Sequence, residues 1–318
     1  MYKMNKKFFT NKKIILSICS IFFITITLIN IDLSILKRYY NDTNIKLLLL
    51  SFLFYFISTL TRSIRWKYLF GKHSTKDWFI ITSINVMSNN IYPARTGELT
   101  LFFLTEEVPK SEILSGLIIT RFMDIICISS IVLLALSKSI IANINYKENL
   151  YVILIATITV LTIMMLNFSK IFTRISNFKL LPIKLKDFIL VVSEYYEKHK
   201  QKTINLLMIS FIVWASKYIS SYFLAINIFQ TISKNFGFWE VIFGVTFSEL
   251  TTVLPVHNFG GFGTYETGWA LLFILLGLDG KEAYSTGFVF HVMLLLYSLI
   301  LGLPSMLVYG RGGREPSP

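Results

Sequence analysis

The chain has 318 residues, 54% hydrophobic and 15% aromatic, with 15% charged and a formal net charge of +13. A soluble domain carries roughly 25% charged residues, so the composition excludes an ordinary soluble domain and indicates an integral membrane protein. The basic excess is not a nucleic-acid surface either: Lys and Arg cluster in the gaps between apolar runs, and no recognition motif accompanies them.

Five lysines, Lys3, Lys6, Lys7, Lys12 and Lys13, precede an apolar run from Ile14 to Ile31. That charge order resembles a signal peptide. The run is longer than such a peptide's apolar region and no small-residue cleavage site follows it, so a retained first helix is expected. Spanning needs about 20 mostly apolar residues. Predicted spans are 14–36, 45–66, 113–136, 150–169, 204–229 and 283–308. Cys19 and Cys127 lie inside these runs and read as small buried hydrophobes rather than a disulfide or metal ligands. Arg62 and Arg65 sit at the end of the second span and read as a solvated, cytoplasmic helix end. Residues 170–203 read as a basic cytoplasmic loop, running from Lys170 to Lys202. Residues 310–318 read as a tail outside the fold.

Two regions remain, 78–108 and 239–278. Each has apolar arms around a Pro- and Gly-broken stretch that ends on Glu. The first is Pro93-Ala94-Arg95-Thr96-Gly97-Glu98. The second runs from Leu254-Pro255 through Gly260-Gly261-Phe262-Gly263 to Glu266. Broken backbone at membrane depth is tolerated only inside protein or along a watery cavity. Paired interruptions in two halves of a membrane protein point to a transport site. By the positive-inside rule the N-terminus, residues 62–76 and residues 170–203 are all cytoplasmic. Region 78–108 must then start and end inside, and region 239–278 outside. The expected fold is an all-α polytopic protein of the cytoplasmic membrane, one transmembrane domain over 1–318. It has six spanning helices plus two opposed re-entrant helical hairpins, with halves 14–136 and 150–308 forming an inverted repeat and both termini cytoplasmic.

A charge at the bilayer centre costs at least about 2.5–3.5 kcal/mol on insertion scales, so intramembrane ionisable residues are candidate functional groups. Arg121 and Asp124 stand at i,i+3 and share a helix face. Lys217 is mid-span, with Glu249 as its nearest acidic candidate. Arg95 and Glu98 mark the first hairpin tip, Glu266 the second. Each also has a structural reading: a packing pair, a snorkelling lysine, or carboxylates capping half-helices. His291 alone reads as a hydrogen-bonded core residue. Gly260, Gly261 and Gly263 lack the strand and Lys-Ser/Thr of a nucleotide loop. As a turn exposing N–H groups they suit an anion.

Arg95, Arg121 and Lys217 together suit a phosphate, and the aromatic content offers apolar surface for acyl or prenyl chains. An anionic head with apolar tails is a phospholipid or a polyprenyl-phosphate-linked lipid. At Pro93, Arg95, Gly97 and Glu98, at Arg121 and Asp124, and at Gly260, Gly261, Gly263 and Glu266, the chain resembles the membrane domain of lysylphosphatidylglycerol synthases over roughly 10–308. That domain also occurs alone, as proteins described as flippase-like. The synthases add a soluble aminoacyl-transferase half. The resemblance therefore implies, for these 318 residues, lipid translocation without head-group chemistry, with the residues just named around the substrate. No cofactor is expected. Coupling to an ion gradient is an open expectation, since the sequence has no ATP motif. The alternatives are a secondary transporter of a small anion and a membrane glycosyltransferase with a lipid-phosphate donor. The latter wants carboxylates in extracytoplasmic loops, and those present are scattered on short loops.

Overall fold

The computed structural model describes residues 19–138, 147–178, 181–251 and 259–312. The N-terminal lysines, Pro255 and the last six residues lie outside that set. All regular structure among the described residues is helical. In chain order the helices are α1 (Cys19–Asn30), α2 (Leu33–Asp42), α3 (Ile45–Phe70), α4 (Thr75–Ile91), α5 (Leu101–Leu104), α6 (Lys110–Lys138), α7 (Lys147–Leu166), α8 (Phe168–Ser176), α9 (Ile183–His199), α10 (Thr203–Gln230), α11 (Phe238–Thr251), α12 (Thr264–Leu275) and α13 (Gly280–Gly312). Short 3-10 turns occupy Pro93–Thr100, Lys200–Lys202 and Phe259–Gly261.

Among the described residues, four helical stretches are long and apolar enough to cross a bilayer: Ile45–Phe70, Lys110–Ala135, Gly280–Gly310 and one within Ile183–Gln230. The number rises to six if the bent pairs α1–α2 and α7–α8 each count as one span. The sequence expectation of a single straight helix over 14–36 is corrected here. Asp32 stops α1 and starts α2, its carboxylate accepting the Ser34 N–H at 2.8 Å, an N-cap interaction. The chain turns by 69°. The span expected at 150–169 likewise ends at Leu166 and bends by 76° into α8. The loop expected over 170–203 is instead α8, α9 and a 3-10 turn. Its apolar residues recur at helical spacing, and Phe168, Ile189, Val192, Tyr195 and Tyr196 are buried.

By internal packing the residues fall into two compact units. The first comprises residues 1–52, 84–98 and 220–304. Its core is aromatic: Trp269 stacks on Phe290 at 4.4 Å and packs on Phe273 at 4.5 Å between ring centroids. Gly287 lets α13 approach Trp269; a Cβ there would lie 2.8 Å from the indole. Ser51 and Ser220 exchange hydroxyl-to-carbonyl hydrogen bonds of 2.8 Å each way, joining α3 to α10. Small hydroxyl residues bridging helices are typical of membrane packing, where lipid is as apolar as leucine.

The second unit comprises residues 53–83, 99–219 and 305–318. Trp66, Phe70 and Trp78 stack in series at 5.5 and 5.7 Å. A second aromatic group, Phe122, Phe168, Phe172 and Tyr196, ties α6 to α8 and α9. The Tyr196 hydroxyl donates to the Met165 carbonyl at 2.6 Å, one of the carbonyls left open where α7 ends. Ser58 donates to the Val213 carbonyl at 2.9 Å.

Candidate functional site

Pro93 has no N–H and disfavours helix for the residue before it, so α4 stops at Ile91 and the chain tightens into the 3-10 turn. That turn folds back on the helix it leaves. A Cβ on Gly97 would collide with the Ser88 and Asn89 backbone. Asn85 on α4 donates to the Gly97 carbonyl at 3.1 Å and to the Glu98 carbonyl at 3.5 Å. Glu98 is half-buried. The Arg95 backbone lies in the turn; its side chain lies outside the described residues.

The second broken stretch uses glycine differently. Gly260, Gly261 and Gly263 have φ of 70°, 73° and 90°, left-handed values that other residues adopt at a cost. Gly263 is the N-cap of α12, and a Cβ there would lie 2.5 Å from the Phe23 carbonyl carbon of α1. Glu266, three residues on, is fully buried. One carboxylate oxygen accepts the Gly263 N–H at 2.6 Å, as the acid of a capping box does. The other shares a 2.7 Å hydrogen bond with His291 Nδ1 of α13. The Tyr265 ring stacks on the imidazole at 4.4 Å, and Phe262 packs on it at 5.0 Å. The expected cap at Glu266 and the expected hydrogen bond at His291 thus meet on one carboxylate. Gly268 brings α11 against α12, where a Cβ would lie 3.0 Å from the Ser248 Cα.

In the second unit the expected Arg121–Asp124 pair is present at 3.5 Å, with the arginine side chain 38% exposed. It is not the main contact. Arg65 Nη1 donates to the other Asp124 oxygen at 2.6 Å and to the Ser210 hydroxyl at 2.8 Å. The side chains of Arg65 and Asp124 are 3% and 7% exposed. The reading of Arg65 as a solvated helix end is corrected: α3 continues to Phe70 and carries it inside. Lys217 is half-buried, with Nζ 4.9 Å from the Trp214 ring centroid. That is cation–π range.

The sequence-predicted residues therefore divide between the units. Arg95, Glu98, Glu249, Gly260, Gly261, Gly263 and Glu266 belong to the first, joined by His291. Arg121, Asp124 and Lys217 belong to the second, joined by Arg65 and Ser210. Among the described residues no cluster of three or more His, Cys, Asp or Glu has the arrangement of a metal site.

The family profile described as the lysylphosphatidylglycerol synthase TM region matches residues 13–302. The chain belongs to that family. The match spans nearly all of the chain, including both broken stretches and the Arg65–Asp124 pair. No curated protein and no solved structure gives a significant match. A lysylphosphatidylglycerol synthase TM region built of long apolar helices is a multi-pass membrane protein of a lipid-related family.

Proposed function

We propose that this chain is a lipid translocase of the flippase kind, moving an anionic, phosphate-bearing lipid across the cytoplasmic membrane. The observation that carries the reading is the pair of broken-helix stretches in one unit. One presents Arg95 and Glu98 on a 3-10 turn. The other presents a left-handed glycine turn whose glutamate is held by His291. Half-helix ends and unwound backbone at membrane depth are how many transporters hold charged groups. Arg95 is suited to grip a phosphate bidentately, and the glycine turn offers backbone N–H groups to the same anion. Asp124, shared by Arg65 and Arg121, keeps two cations compensated until an anionic head group exchanges with it. Lys217 adds a further cation.

Six spans with two re-entrant hairpins entering from opposite faces, an inverted repeat and cytoplasmic termini belong to the same proposal. Helix length supports the hairpins. At 1.5 Å per residue, α11 and α12 reach only about 21 and 18 Å, short of a hydrocarbon core of roughly 30 Å. Basic residues on alternate connections support the orientation.

The test is translocation of labelled lipids in proteoliposomes by Arg95→Lys and Glu98→Gln variants at matched protein levels. Arg95→Lys keeps the charge and loses the planar fork, so anionic-lipid movement is expected to fall while the protein still folds. Wild-type rates from both variants would reduce the first stretch to a helix cap. Uptake of a small anion with no lipid movement would favour a solute transporter.

A further inference from the structure

We infer that helix α8 and the start of α9 form a lipid-binding bracket lying in the plane of the membrane surface, selective for anionic head groups. This inference is independent of the translocation reading. Three faces of α8 carry it. Phe168, Phe172 and Ser176, four residues apart, face the protein: Phe168 and Ser176 are buried, and Phe172 stacks on Phe168 at 4.0 Å. Ile171 and Ile175, four residues apart, form a second face, with Ile175 42% exposed, and Phe178, two residues past the helix end, is 65% exposed. Lys170, Arg174 and Asn177 form a third face, all exposed. An exposed apolar stripe beside a cationic stripe is the composition of a helix lying at a bilayer interface.

The path of the chain agrees. The apolar helix α7 ends at Leu166, and α8 departs at 76° after a single residue, Asn167. A helix that leaves a membrane-spanning segment nearly at right angles runs along the surface. The same pairing of apolar and basic residues recurs at the start of α9, where Ile183 is 77% exposed and Lys184 beside it is exposed too. Phe178 and Ile183 reach into the acyl boundary, while Lys170, Arg174 and Lys184 meet phosphates. Ser193 holds α8 in place from α9, with its hydroxyl 3.1 Å from those of Ser169 and Thr173. The face is thus presented by a fixed helix. The partner is the anionic leaflet itself, because exposed cations accompany the exposed apolar residues both on α8 and at the start of α9.

The test uses the full chain, with Cys19 and Cys127 replaced, in nanodiscs of phosphatidylcholine alone or mixed equally with phosphatidylglycerol. Spin labels are placed singly at Ile175, Phe178, Asn177 and Glu194, all exposed positions whose substitution leaves the packed core intact. In anionic discs, labels at 175 and 178 are expected to collide with oxygen and to be shielded from an aqueous nickel chelate. Labels at 177 and 194 should show the reverse. Each Lys or Arg near an anionic surface is worth about fivefold. Lys170→Glu with Arg174→Glu should therefore lower the shielded-to-exposed ratio at 178 by at least about twenty-five-fold. Equal nickel access at 175, 177 and 178 would overturn the bracket. Shielding that is the same in both disc types and untouched by the charge reversal would overturn its selectivity for anionic head groups.

Discussion

Replacing Arg65 with alanine should damage this protein more than replacing Arg121, although only Arg121 shares a helix turn with Asp124. The Arg65 and Asp124 side chains are 3% and 7% exposed and 2.6 Å apart. Removing the arginine leaves a buried carboxylate with a longer, 3.5 Å ion pair to Arg121, and it removes the Arg65 donor from Ser210. Breaking a buried pair by deleting one member costs about 3–5 kcal/mol. Arg121 is 38% exposed and its pair measures 3.5 Å, so its contribution falls in the range of about 0–1 kcal/mol expected of exposed pairs. At a few degrees per kcal/mol for a chain of this size, Arg65→Ala should lower the melting temperature by on the order of 10 °C. Arg121→Ala should lower it by about 2 °C or less. The double change Arg65→Ala with Asp124→Ala should recover part of the loss, since it removes the stranded charge. The assay is thermal unfolding of detergent-solubilised protein read by fluorescence-detected gel filtration. Strict additivity of the two single losses, or an Arg121→Ala effect equal to that of Arg65→Ala, would refute the assignment of Arg65 as the principal partner.

Gly263→Ala should lose about 1–3 kcal/mol from the left-handed φ of 90° alone, with more from the contact to the α1 backbone; Gly277→Ala, where φ is 95° and no neighbour stands within 4 Å, isolates the conformational part. Glu266→Ala strands His291 and the Gly263 N–H, each buried polar group worth about 1–3 kcal/mol. Glu266→Gln retains an acceptor for the N–H and a donor for the imidazole, so its melting temperature should stay near wild type, as the same unfolding assay would report. Removing either Ser51 or Ser220 hydroxyl should cost about 1 kcal/mol, and removing both should cost less than the sum because the two hydroxyls also share a 3.3 Å contact that either deletion abolishes. A double-mutant cycle on the purified protein measures that coupling.

Much of the helical plan was legible because hydropathy and helix length answer to the same bilayer. The starts of α3 and α10 fall within one residue of expectation, and both broken stretches were marked by Pro93, Gly97 and the glycine run. Other features depended on packing. Arg65 stood next to the end of a predicted span, where charge usually meets water. The signal that would have placed it inside is spacing: Ser51, Ser58 and Arg65 are seven residues apart and so share one face of α3, and both serines are buried. Residues 170–203 were read by charge density, which hid the four-residue recurrence of Phe168, Phe172 and Ser176. The bends after Asn30 and Leu166 lack a proline or glycine; a lone Asp32 cap and a lone Asn167 are weak local signs. The Glu266–His291 bond joins positions 25 apart on two helices, and periodicity within a helix carries no information about such a contact.

The claim that the chain moves anionic lipid is tested most directly with the unmodified protein. Purified protein is reconstituted into liposomes containing fluorescent phosphatidylglycerol or fluorescent phosphatidylcholine, and transfer between leaflets is followed by chemical quenching of the outer one. The account predicts transfer of the anionic lipid well above protein-free liposomes, with the zwitterionic lipid left near background. Equal rates for both lipids, or an anionic rate no higher than in protein-free liposomes, would contradict it.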